Sequence, residues 1–564
     1  MRDEVFMHTD GKLDVLYLHV PKFSNYYKPF DEYMFINFIS MGLFALADIT
    51  EKAGFKSKIL HLGIEWICDN NFSIIEFIRK NRPKVVAVPI FWHPQTYDAV
   101  KVIEAVKKEF PEIFIVTGGF TASYFADQAV RDVRGLDALI HGHGEASIAG
   151  LVRRVIEARE KKGAENFDTA AIDLSGIPNL LWKKRIGSGK KLKLEIVKNP
   201  ETFFASITDL DNLNFTNISL LSNYETYRNS FRLNVAYSKK ITREDNLKIT
   251  PVRAYHIPLF IGRGCPTECK VCAGRNKTQI KMNHSGRVIW RSPEKVCDSL
   301  VEIKNYGFDQ VIVCFDPTPK NPEYFVKLFR MIRERNIEID MFFESWGLPD
   351  REFVDEFAKT FKGRNSAIAI SAESGSEAVR DKIRGYSFSN AELMESLDYM
   401  EKSRVGFLVF FTVGNPFETE EDLSQTSNLI RTIKNNYNYV RWLTTYPVQI
   451  EPGSAIFEEP EKFGVEKILF TFMDYYRFHG KRNSCLYTNL GYNVKNYFRG
   501  GSKGTTVKQR VNYFSKKITQ IRCKNFCILH PDPAVARHYC KRLNDKYTEA
   551  GGGRYSLFKR NSFV

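Results

Sequence analysis

The sequence predicts an α/β protein in which a doubly wound parallel sheet is followed by a partial (β/α)6 barrel and then by a basic, α-rich C-terminal region. Three observations predict it. Short apolar runs alternate with helix-like stretches near the amino terminus, the same alternation returns after residue 250, and the excess positive charge lies almost entirely at the carboxyl-terminal end. We therefore expect four parts, with bounds at 1–160, 161–250, 251–470 and 471–564.

The first part carries the pattern of buried strands separated by amphipathic helices. Apolar runs at 13–20, 84–91 and 113–119 predict strands, the stretch 42–55 predicts a helix, and the run 136–145 closes the series. Such a pattern is typical of a parallel sheet with helices on both faces. Ligands of these folds bind outside the carboxyl ends of the strands, which here carry "PIFWH", "TGG" and "HGHGE".

A connector and a second α/β unit follow. The connector contains a predicted hairpin at 177–200, with two alternating strands around a Gly-Ser-Gly turn. From residue 255 onward about six strand-helix pairs follow one another, and right-handed crossovers would curl them into a barrel or a partial barrel. The chemistry of such barrels lies at the carboxyl ends of the strands. The segment 264–274 follows the first of these strands, so we expect it at the mouth of the barrel.

Three of the ten cysteines, Cys265, Cys269 and Cys272, form a C-x3-C-x2-C array in this segment. Thiolate clusters in a reducing compartment usually bind zinc or an iron–sulfur cluster. A structural zinc site needs four ligands, and His256 and His284 flank the array at unfavourable distances. A 4Fe-4S cluster held by three thiolates would leave one iron open to a substrate or cofactor. We therefore predict such a cluster, with an imperfect zinc loop as the alternative.

A C-x3-C-x2-C array after the first strand of a βα barrel resembles the radical S-adenosylmethionine (radical SAM) superfamily. In that family the open iron binds the amino and carboxylate groups of SAM, and reductive cleavage of SAM yields a 5′-deoxyadenosyl radical that abstracts hydrogen. The resemblance implies an oxygen-sensitive, anaerobic enzyme that receives electrons from a donor such as flavodoxin or ferredoxin. One departure is Val271, which stands where the family usually has an aromatic residue.

Four later segments resemble further motifs of this family and occur in the family's order. They are similar to the acidic end of the second strand, the E-S-G-S segment, the G-x-P-x-E-T turn and the closing P-G-S element, at 315–325, 372–379, 413–423 and 450–465. For the acidic residues, helix caps and salt bridges are the alternatives. The SAM-contacting residues that the resemblance implies are Asp316, Glu373, Ser374, Gly414 and Glu418.

The N-terminal part is similar to the flavodoxin-like domain of the cobalamin-binding subfamily. The resemblance rests on a Gly-Gly turn at 117–122 and on the segment 141–152. A D-x-H-x-x-G motif, which supplies a histidine to cobalt, is absent, so the lower axial ligand is unassigned. The alternatives are a scaffold that binds nothing and, for the histidine, a hydrogen-bonded loop residue. The cobalamin contacts that the resemblance implies are His93, Gly118, Gly119 and Glu145.

Positive charge is concentrated in the C-terminal region. From Thr471 to Val564 there are 19 Lys or Arg against 4 Asp or Glu, a balance of +15, whereas the whole chain carries +16. This asymmetry predicts contact with nucleic acid, an anionic lipid surface or an anionic substrate, and a solvated surface on a helical cap is the alternative. Cys523, Cys527 and Cys540 indicate either a second metal site or buried free thiols.

The sequence therefore predicts a cytoplasmic, cobalamin-dependent radical SAM enzyme that methylates or rearranges an unactivated carbon of a small-molecule, lipid or other anionic substrate. No apolar segment is long enough to span a membrane, and no signal peptide is visible. One alternative is a methylthiotransferase-like enzyme acting on RNA, although only Cys68 stands where a second cysteine triplet would be needed. Another is a non-catalytic iron–sulfur protein that binds nucleic acid.

Overall fold

The computed structural model describes residues 12–22, 38–69, 71–162, 167–187, 193–232, 255–283, 286–363, 365–480, 490–495, 497–498 and 506–529. Two large sheets organise these residues, one of seven strands and one of six. Within the described ranges, no helix combines the length and the apolar character that crossing a membrane requires.

The seven-stranded sheet is built by the N-terminal part of the chain. Its strands are β1 (Val15–His19), β2 (Ser57–His61), β3 (Val85–Ala87), β4 (Phe114–Thr117), β5 (Ala138–Ile140), β6 (Leu180–Ile186) and β7 (Lys193–Lys198). They lie in the order β2-β1-β3-β4-β5-β6-β7, and the first five are parallel. The hairpin predicted in the connector is β6 with β7, and it extends this sheet in antiparallel pairing.

Helices cover both faces of this sheet, which confirms the predicted doubly wound architecture. Alternate strand residues such as Val15 and Tyr17 join an apolar core with one set of helices, and the intervening residues such as Leu16 join another core with the second set. The first set is Met41–Lys52 and Ile148–Lys162, and the second is Ile74–Asn81, Thr96–Glu109 and Ala126–Asp132. Shorter helices are Leu62–Cys68, Phe120–Tyr124, Ile207–Asp211 and Tyr224–Arg232.

The second sheet forms the barrel. It begins with β8 (His256–Pro258), after which β9 (Gly262–Arg263) and β10 (Ile289–Trp290) form a small antiparallel pair. The other barrel strands are β11 (Gln310–Val313), β12 (Asp340–Ser345), β13 (Ala367–Glu373), β14 (Phe407–Val413) and β15 (Val440–Pro447). Neighbouring strands are parallel in the order β8-β11-β12-β13-β14-β15, which confirms a partial (β/α)6 barrel.

Helices between the strands cover the outside of the barrel. Several begin at side chains that accept a backbone N–H, namely Ser292, Asp350, Ser389 and Thr419. The helices of this unit are Asn276–Asn283, Pro293–Asn305, Tyr324–Glu334, Arg351–Thr360, Glu377–Ile383, Asn390–Lys402 and Glu420–Asn436.

The region after the barrel packs aromatic side chains onto both units. Two helices carry this packing: Phe472–His479 lies against the N-terminal part, and Val507–Leu529 lies against β15. Tyr475 and Phe514 are buried, whereas Arg477, Lys508 and Lys516 are exposed. The described part of this region therefore matches the helical-cap alternative. Its smaller elements are Ala455–Glu458, β16 (Val465–Lys467) and β17 (Tyr492–Val494).

The second metal site considered for the C-terminal cysteines cannot be placed on this fold. Cys540 and the side chains of Cys523 and Cys527 lie outside the described residues. The same holds for His284, which flanks the cysteine array in the sequence.

Candidate active site

The cysteine array lies in the loop that β9 and β10 bracket, at the mouth of the barrel. Cys265 Sγ lies 3.1 Å from the hydroxyl oxygen of Thr267, which in turn lies 3.6 Å from Cys269 Sγ. Within the described residues, no three His, Cys, Asp or Glu side chains converge on a single metal ion. Each thiolate of an iron–sulfur cluster binds a different iron, whereas a zinc ion gathers all its ligands within about 2.3 Å. Three thiols from one loop are the donor type that an iron–sulfur cluster takes, so the loop fits such a cluster.

Two backbone amides point at the sulfurs of the array. The Gly274 N–H donates to Cys272 Sγ, and the Gly385 N–H donates to Cys269 Sγ, both at 3.2 Å. Hydrogen bonds to cluster sulfurs are one of the means by which a protein sets the cluster's reduction potential. Gly385 comes from the loop after the helix Glu377–Ile383, so a second barrel loop contributes to the site. A Cβ at Gly385 would lie only 2.5 Å from the Glu268 nitrogen, and this close approach requires glycine.

The far end of the cysteine loop is fixed by a buried arginine. Arg275 Nε donates to the carbonyl oxygen of Gly453 at 3.1 Å, Nη1 lies 3.4 Å from Glu268 Oε2, and the guanidinium also pairs with Glu458. Gly453 and Glu458 belong to the segment that resembles the closing P-G-S element. That segment therefore positions the cysteines, and the loop is held at both ends before any cofactor binds.

Glu373 lies at the end of β13 and forms an ion pair directed toward the cysteines. Its Oε1 lies 2.7 Å from Arg384 Nη1, and each side chain is 12% exposed. Arg384 stacks over the Tyr386 ring at 4.4 Å and helps to lower the pKa of Cys265 against the larger, opposing effect of burial. Its Nε is buried and has no hydrogen-bond partner. The ion pair therefore lies beside the cysteine loop and keeps one buried nitrogen without a hydrogen-bond partner.

Asp316 and Ser374 use their polar atoms within the protein. Asp316 Oδ1 accepts from the Thr318 amide at 3.0 Å and from its hydroxyl at 2.5 Å, and Oδ2 accepts from the Trp346 amide at 3.2 Å. Burial raises the pKa of Asp316 in spite of these donors. Ser374 is fully buried, with its hydroxyl oxygen 3.3 Å from that of Thr426. Both residues therefore join the loops at the barrel mouth to each other.

Glu418 organises the turn after β14. Its Oε2 accepts from the Gly414 and Asn415 amides at 2.9 and 3.2 Å, and it also accepts from the Tyr497 hydroxyl. Burial raises the pKa of Glu418 to about 7, against the effect of these donors. The Gly414 amide itself lies 3.1 Å from the Tyr497 hydroxyl. The helix that follows is capped by Thr419 instead, so Glu418 fastens the C-terminal region to the barrel.

Gly118 and Gly119 follow β4 in the N-terminal sheet. A Cβ at Gly119 would lie 2.9 Å from the carbonyl oxygen of Ile90, and its φ of 92° belongs to the left-handed region. A Cβ at Gly118 would lie 3.2 Å from the Ile140 carbonyl oxygen. The neighbouring loops thus already require these glycines, whatever ligand lies outside the sheet.

His93 follows β3 and is buried against the C-terminal region. Its Nδ1 lies 3.0 Å from His479 Nε2, and its ring lies 4.8 Å from that of Tyr475. Burial, with a smaller contribution from Lys22, lowers the pKa of His93 to about 3, so the ring is neutral. This contact matches the hydrogen-bonded loop histidine that we considered as the alternative to a corrin contact.

Glu145 links the two sheets. Its carboxylate pairs with the guanidinium of Arg263 in β9, directly before the cysteine array. Although burial opposes ionisation, Arg263 holds the pKa of Glu145 below its ordinary value. Glu145 Oε2 and Arg263 Nη1 are both buried without a further partner. An ion pair with unused hydrogen-bonding capacity therefore lies at the junction of the two units.

A second contact brings the same two edges together. Tyr124, beyond the carboxyl end of β4, donates its hydroxyl to Glu458 Oε1 at 3.3 Å, and Lys281 lies 3.0 Å from the same oxygen. Lys281 also lies 4.9 Å above the Tyr124 ring. The carboxyl end of the N-terminal sheet thus faces the cysteine loop, and a ligand outside that sheet would lie beside a cluster held by the cysteines.

Sequence reasoning missed several residues that build this site. Arg384 and Gly385 match no motif that we recognised, and Arg263 belongs to the lead-in to the cysteines at 262–266, where no role was assigned to it. Each contacts the cysteine loop or its predicted partners through the tertiary fold. The one available signal was an arginine followed by a glycine at 384–385, shortly after the E-S-G-S segment.

Two family models match the chain. The radical SAM superfamily model matches residues 259–430. The B12 binding domain model matches residues 37–152. The first interval contains the cysteine array and the barrel strands β11 to β14, and the second contains the carboxyl ends of β3, β4 and β5.

Individual proteins are similar at low identity. An uncharacterized methyltransferase of Pyrococcus horikoshii is 22% identical over 67% of this chain and 71% of its own length. An uncharacterized protein of Methanocaldococcus jannaschii is 24% identical over 38% of this chain and 47% of its own. The solved radical SAM methyltransferase TsrM of Kitasatospora setae, with cobalamin and a [4Fe-4S] cluster bound, matches with a TM-score of 0.56 at 15% identity. That match covers 83% of this chain and 85% of TsrM, and it shows a shared fold.

Proposed function

Because this chain belongs to the radical SAM superfamily and carries a B12-binding domain, we propose that it transfers a methyl group to an unactivated carbon of a small-molecule substrate. Its cofactors are a 4Fe-4S cluster, SAM and cobalamin. When bound, the cluster and SAM supply a hydrogen-abstracting radical and cobalamin supplies the methyl group. The similar methyltransferase of Pyrococcus horikoshii supports methyl transfer over rearrangement.

One observation carries this proposal: the carboxyl end of the B12-binding sheet faces the cysteine loop. The Glu145–Arg263 and Tyr124–Glu458 contacts hold these two edges together. A methyl donor and a radical source have to reach the same substrate carbon, so their sites must share one cavity. The fold supports that arrangement with residues of both units.

We assign roles to the residues of this chain accordingly. Cys265, Cys269 and Cys272 hold the cluster, and the amides of Gly274 and Gly385 orient the sulfurs. Glu373 and Arg384 orient the polar groups of SAM from their place beside the cysteine loop. The roles of Asp316, Ser374, Gly414 and Glu418 are to shape the loops around SAM without contacting it.

On the cobalamin side, the residues at the sheet edge have different tasks. Gly118 and Gly119 keep the loops after β3 and β4 close together, and Glu145 fixes the cobalamin edge to the cluster loop. His93 is held by His479, so we propose that it is not the lower ligand of cobalt. We also propose a flavodoxin or ferredoxin as electron donor and the cytoplasm as the place of action.

The test is anaerobic reconstitution of the full chain with iron, sulfide and cobalamin, followed by incubation with a reductant and methyl-radiolabelled SAM. We expect 5′-deoxyadenosine to form and label to be retained in the protein-bound corrin fraction. Cys272→Ala removes a ligand of the cluster and should abolish 5′-deoxyadenosine formation, whereas Cys68→Ala, at an exposed cysteine outside the site, should not. SAM cleavage that survives Cys272→Ala would contradict the proposal, and cleavage without corrin labelling would replace methyl transfer by other radical chemistry.

The alternatives from the sequence have less support. The methylthiotransferase-like reading needs a second cysteine triplet, and the N-terminal 160 residues contain only Cys68. The hypothesis of a non-catalytic iron–sulfur protein does not explain the presence of a B12-binding domain. Nucleic acid stays a predicted partner of the basic C-terminal region, and binding of a labelled RNA to the full chain would test it.

A further inference from the structure

The side chains on the inner face of the barrel are less buried than those on its outer face. On β11 and β12 the outward residues, such as Val313 and Phe343, are buried beneath the helices. The inward residues alternate with them, and Ala369, Leu408 and Phe342 form a separate apolar cluster. Inward positions are only partly covered, as Phe342 and Glu344 show. The barrel therefore encloses open space lined by these side chains.

Two polar side chains, Cys314 and Glu344, face this space from neighbouring positions on adjacent strands. Val313 of β11 pairs with Phe343 of β12, so the next residues, Cys314 and Glu344, lie side by side. The two groups affect each other's ionisation: Glu344 raises the pKa of Cys314, and Cys314 partly offsets the rise that burial causes in the pKa of Glu344. Cys314 is exposed although β11 lies between β8 and β12 in the sheet, because its side chain meets the enclosed space. Burial raises the pKa of both groups, as it does for groups surrounded by protein inside a cavity.

Glu344 differs from the other enclosed carboxylates of the site in its partners. Glu145 and Glu373 pair with arginines, and Asp316 and Glu418 accept from backbone amides. Glu344 has the Cys314 thiol, a weak donor. Its neighbour on β13 is Ala369, and farther around the barrel the Phe410 and Tyr446 rings lie 6.2 Å apart. The five strands β11 to β15 contain one basic residue, the exposed Arg441 at the amino end of β15.

We propose that Glu344 and Cys314 form a substrate-recognition site that takes a protonated amine of the substrate, with an apolar part of the substrate against the aromatic wall. An enclosed carboxylate is expensive without a cation or several donors, and an ammonium group supplies both. The inference rests on the proposed function, which makes the barrel interior the place where the substrate lies. It names the substrate class: a small amine with an apolar body.

The test compares two probes of the same shape. The anaerobic holoprotein with SAM is titrated calorimetrically with 2-phenylethylammonium chloride and, separately, with the neutral 2-phenylethanol. We expect the amine to bind about tenfold more tightly, because a charge-assisted hydrogen bond to the carboxylate distinguishes the two. Glu344→Gln should remove that preference, and the exposed Glu352→Gln on the outside of the barrel should keep it. Glu344→Asp, which keeps the charge, should retain part of it.

Equal affinity for both probes, absence of amine binding to the wild-type protein, or an amine preference that survives Glu344→Gln would each overturn the recognition site. The wild-type comparison holds even if the variants fail to fold. SAM cleavage is measured on the same wild-type preparation without any probe. Amine preference without SAM cleavage would refute the proposed function alone, and SAM cleavage without amine preference would refute the recognition site alone.

Discussion

The two strand edges that meet at the site use their predicted residues in different ways. At the barrel mouth, the Glu373–Arg384 ion pair lies beside the cysteine loop. At the edge of the N-terminal sheet, Gly119 packs against the Ile90 backbone and His93 contacts the His479 ring. The first edge therefore keeps the cysteines and one ion pair for the proposed chemistry, whereas the predicted residues at the second edge are used within the fold.

The largest effect is expected from a substitution at Gly385, in the barrel loop that contacts Cys269. Gly385→Ala places a Cβ within 2.5 Å of the Glu268 nitrogen and displaces the amide that donates to Cys269 Sγ. Overpacking of this kind costs about 1–3 kcal/mol, and here it falls on Cys269, a proposed cluster ligand. We expect iron content and 5′-deoxyadenosine formation to drop to near zero in the reconstituted protein. Gly347→Ala, with nothing closer than 3.8 Å, is the control and should leave both unchanged.

The next effect tests the ion pair at the barrel mouth. Arg384→Met leaves the Glu373 carboxylate buried without its partner, which costs about 3–5 kcal/mol for a buried pair. Chemical denaturation of the anaerobic protein measures this loss, and SAM affinity should fall with it. Arg351→Met breaks an ion pair with Glu395 in which both side chains are 71% exposed, so it should change stability little. Equal losses of stability and of SAM affinity in the two variants would contradict the role proposed for Arg384.

A smaller effect is expected from Glu418, which binds the Tyr497 hydroxyl of the C-terminal region and should make stability depend on pH. Its pKa is raised to about 7 in the folded protein, so the folded state holds a proton that the unfolded state releases above its ordinary pKa. The stability from this group is present at low pH and is lost as the pH rises toward and through 7. At about 1.4 kcal/mol per pH unit, the loss amounts to at most about 3.5 kcal/mol. Melting temperatures between pH 5 and 8 should show this slope in the wild-type protein, and a reduced slope in Glu418→Gln.

The smallest expected effect concerns His93. If His479 and Tyr475 hold this ring for structural reasons, His93→Gln keeps the absorption spectrum of bound cobalamin unchanged and lowers only the melting temperature. Gly119→Ala, which clashes with Ile90, should instead reduce the amount of corrin bound. A shift of the corrin bands in His93→Gln would assign the histidine to cobalt after all.

The sequence was sufficient for the parts of the fold that follow from periodicity. Alternating apolar runs predicted the doubly wound sheet and the six barrel strands, because strand and helix burial repeat with fixed periods. The position of the cysteine array after β8 placed it at the mouth of the barrel. Contacts between residues far apart in the sequence could not be predicted from local periodicity. Glu145 and Arg263, for example, lie 118 positions apart. The same limit hid Arg384 and the pair of Cys314 with Glu344.

Electron paramagnetic resonance of the anaerobically reduced protein, loaded with cob(II)alamin, tests whether the two cofactors share one site. We propose that the corrin lies outside the N-terminal sheet and the cluster in the barrel mouth, with the Glu145–Arg263 pair between the two units. This arrangement has a spectroscopic consequence. It predicts spin–spin coupling between the cobalt and the reduced cluster, and loss of the cluster signal and the coupling in Cys272→Ala. A spectrum that is the plain sum of an isolated cluster and an isolated cob(II)alamin would contradict it.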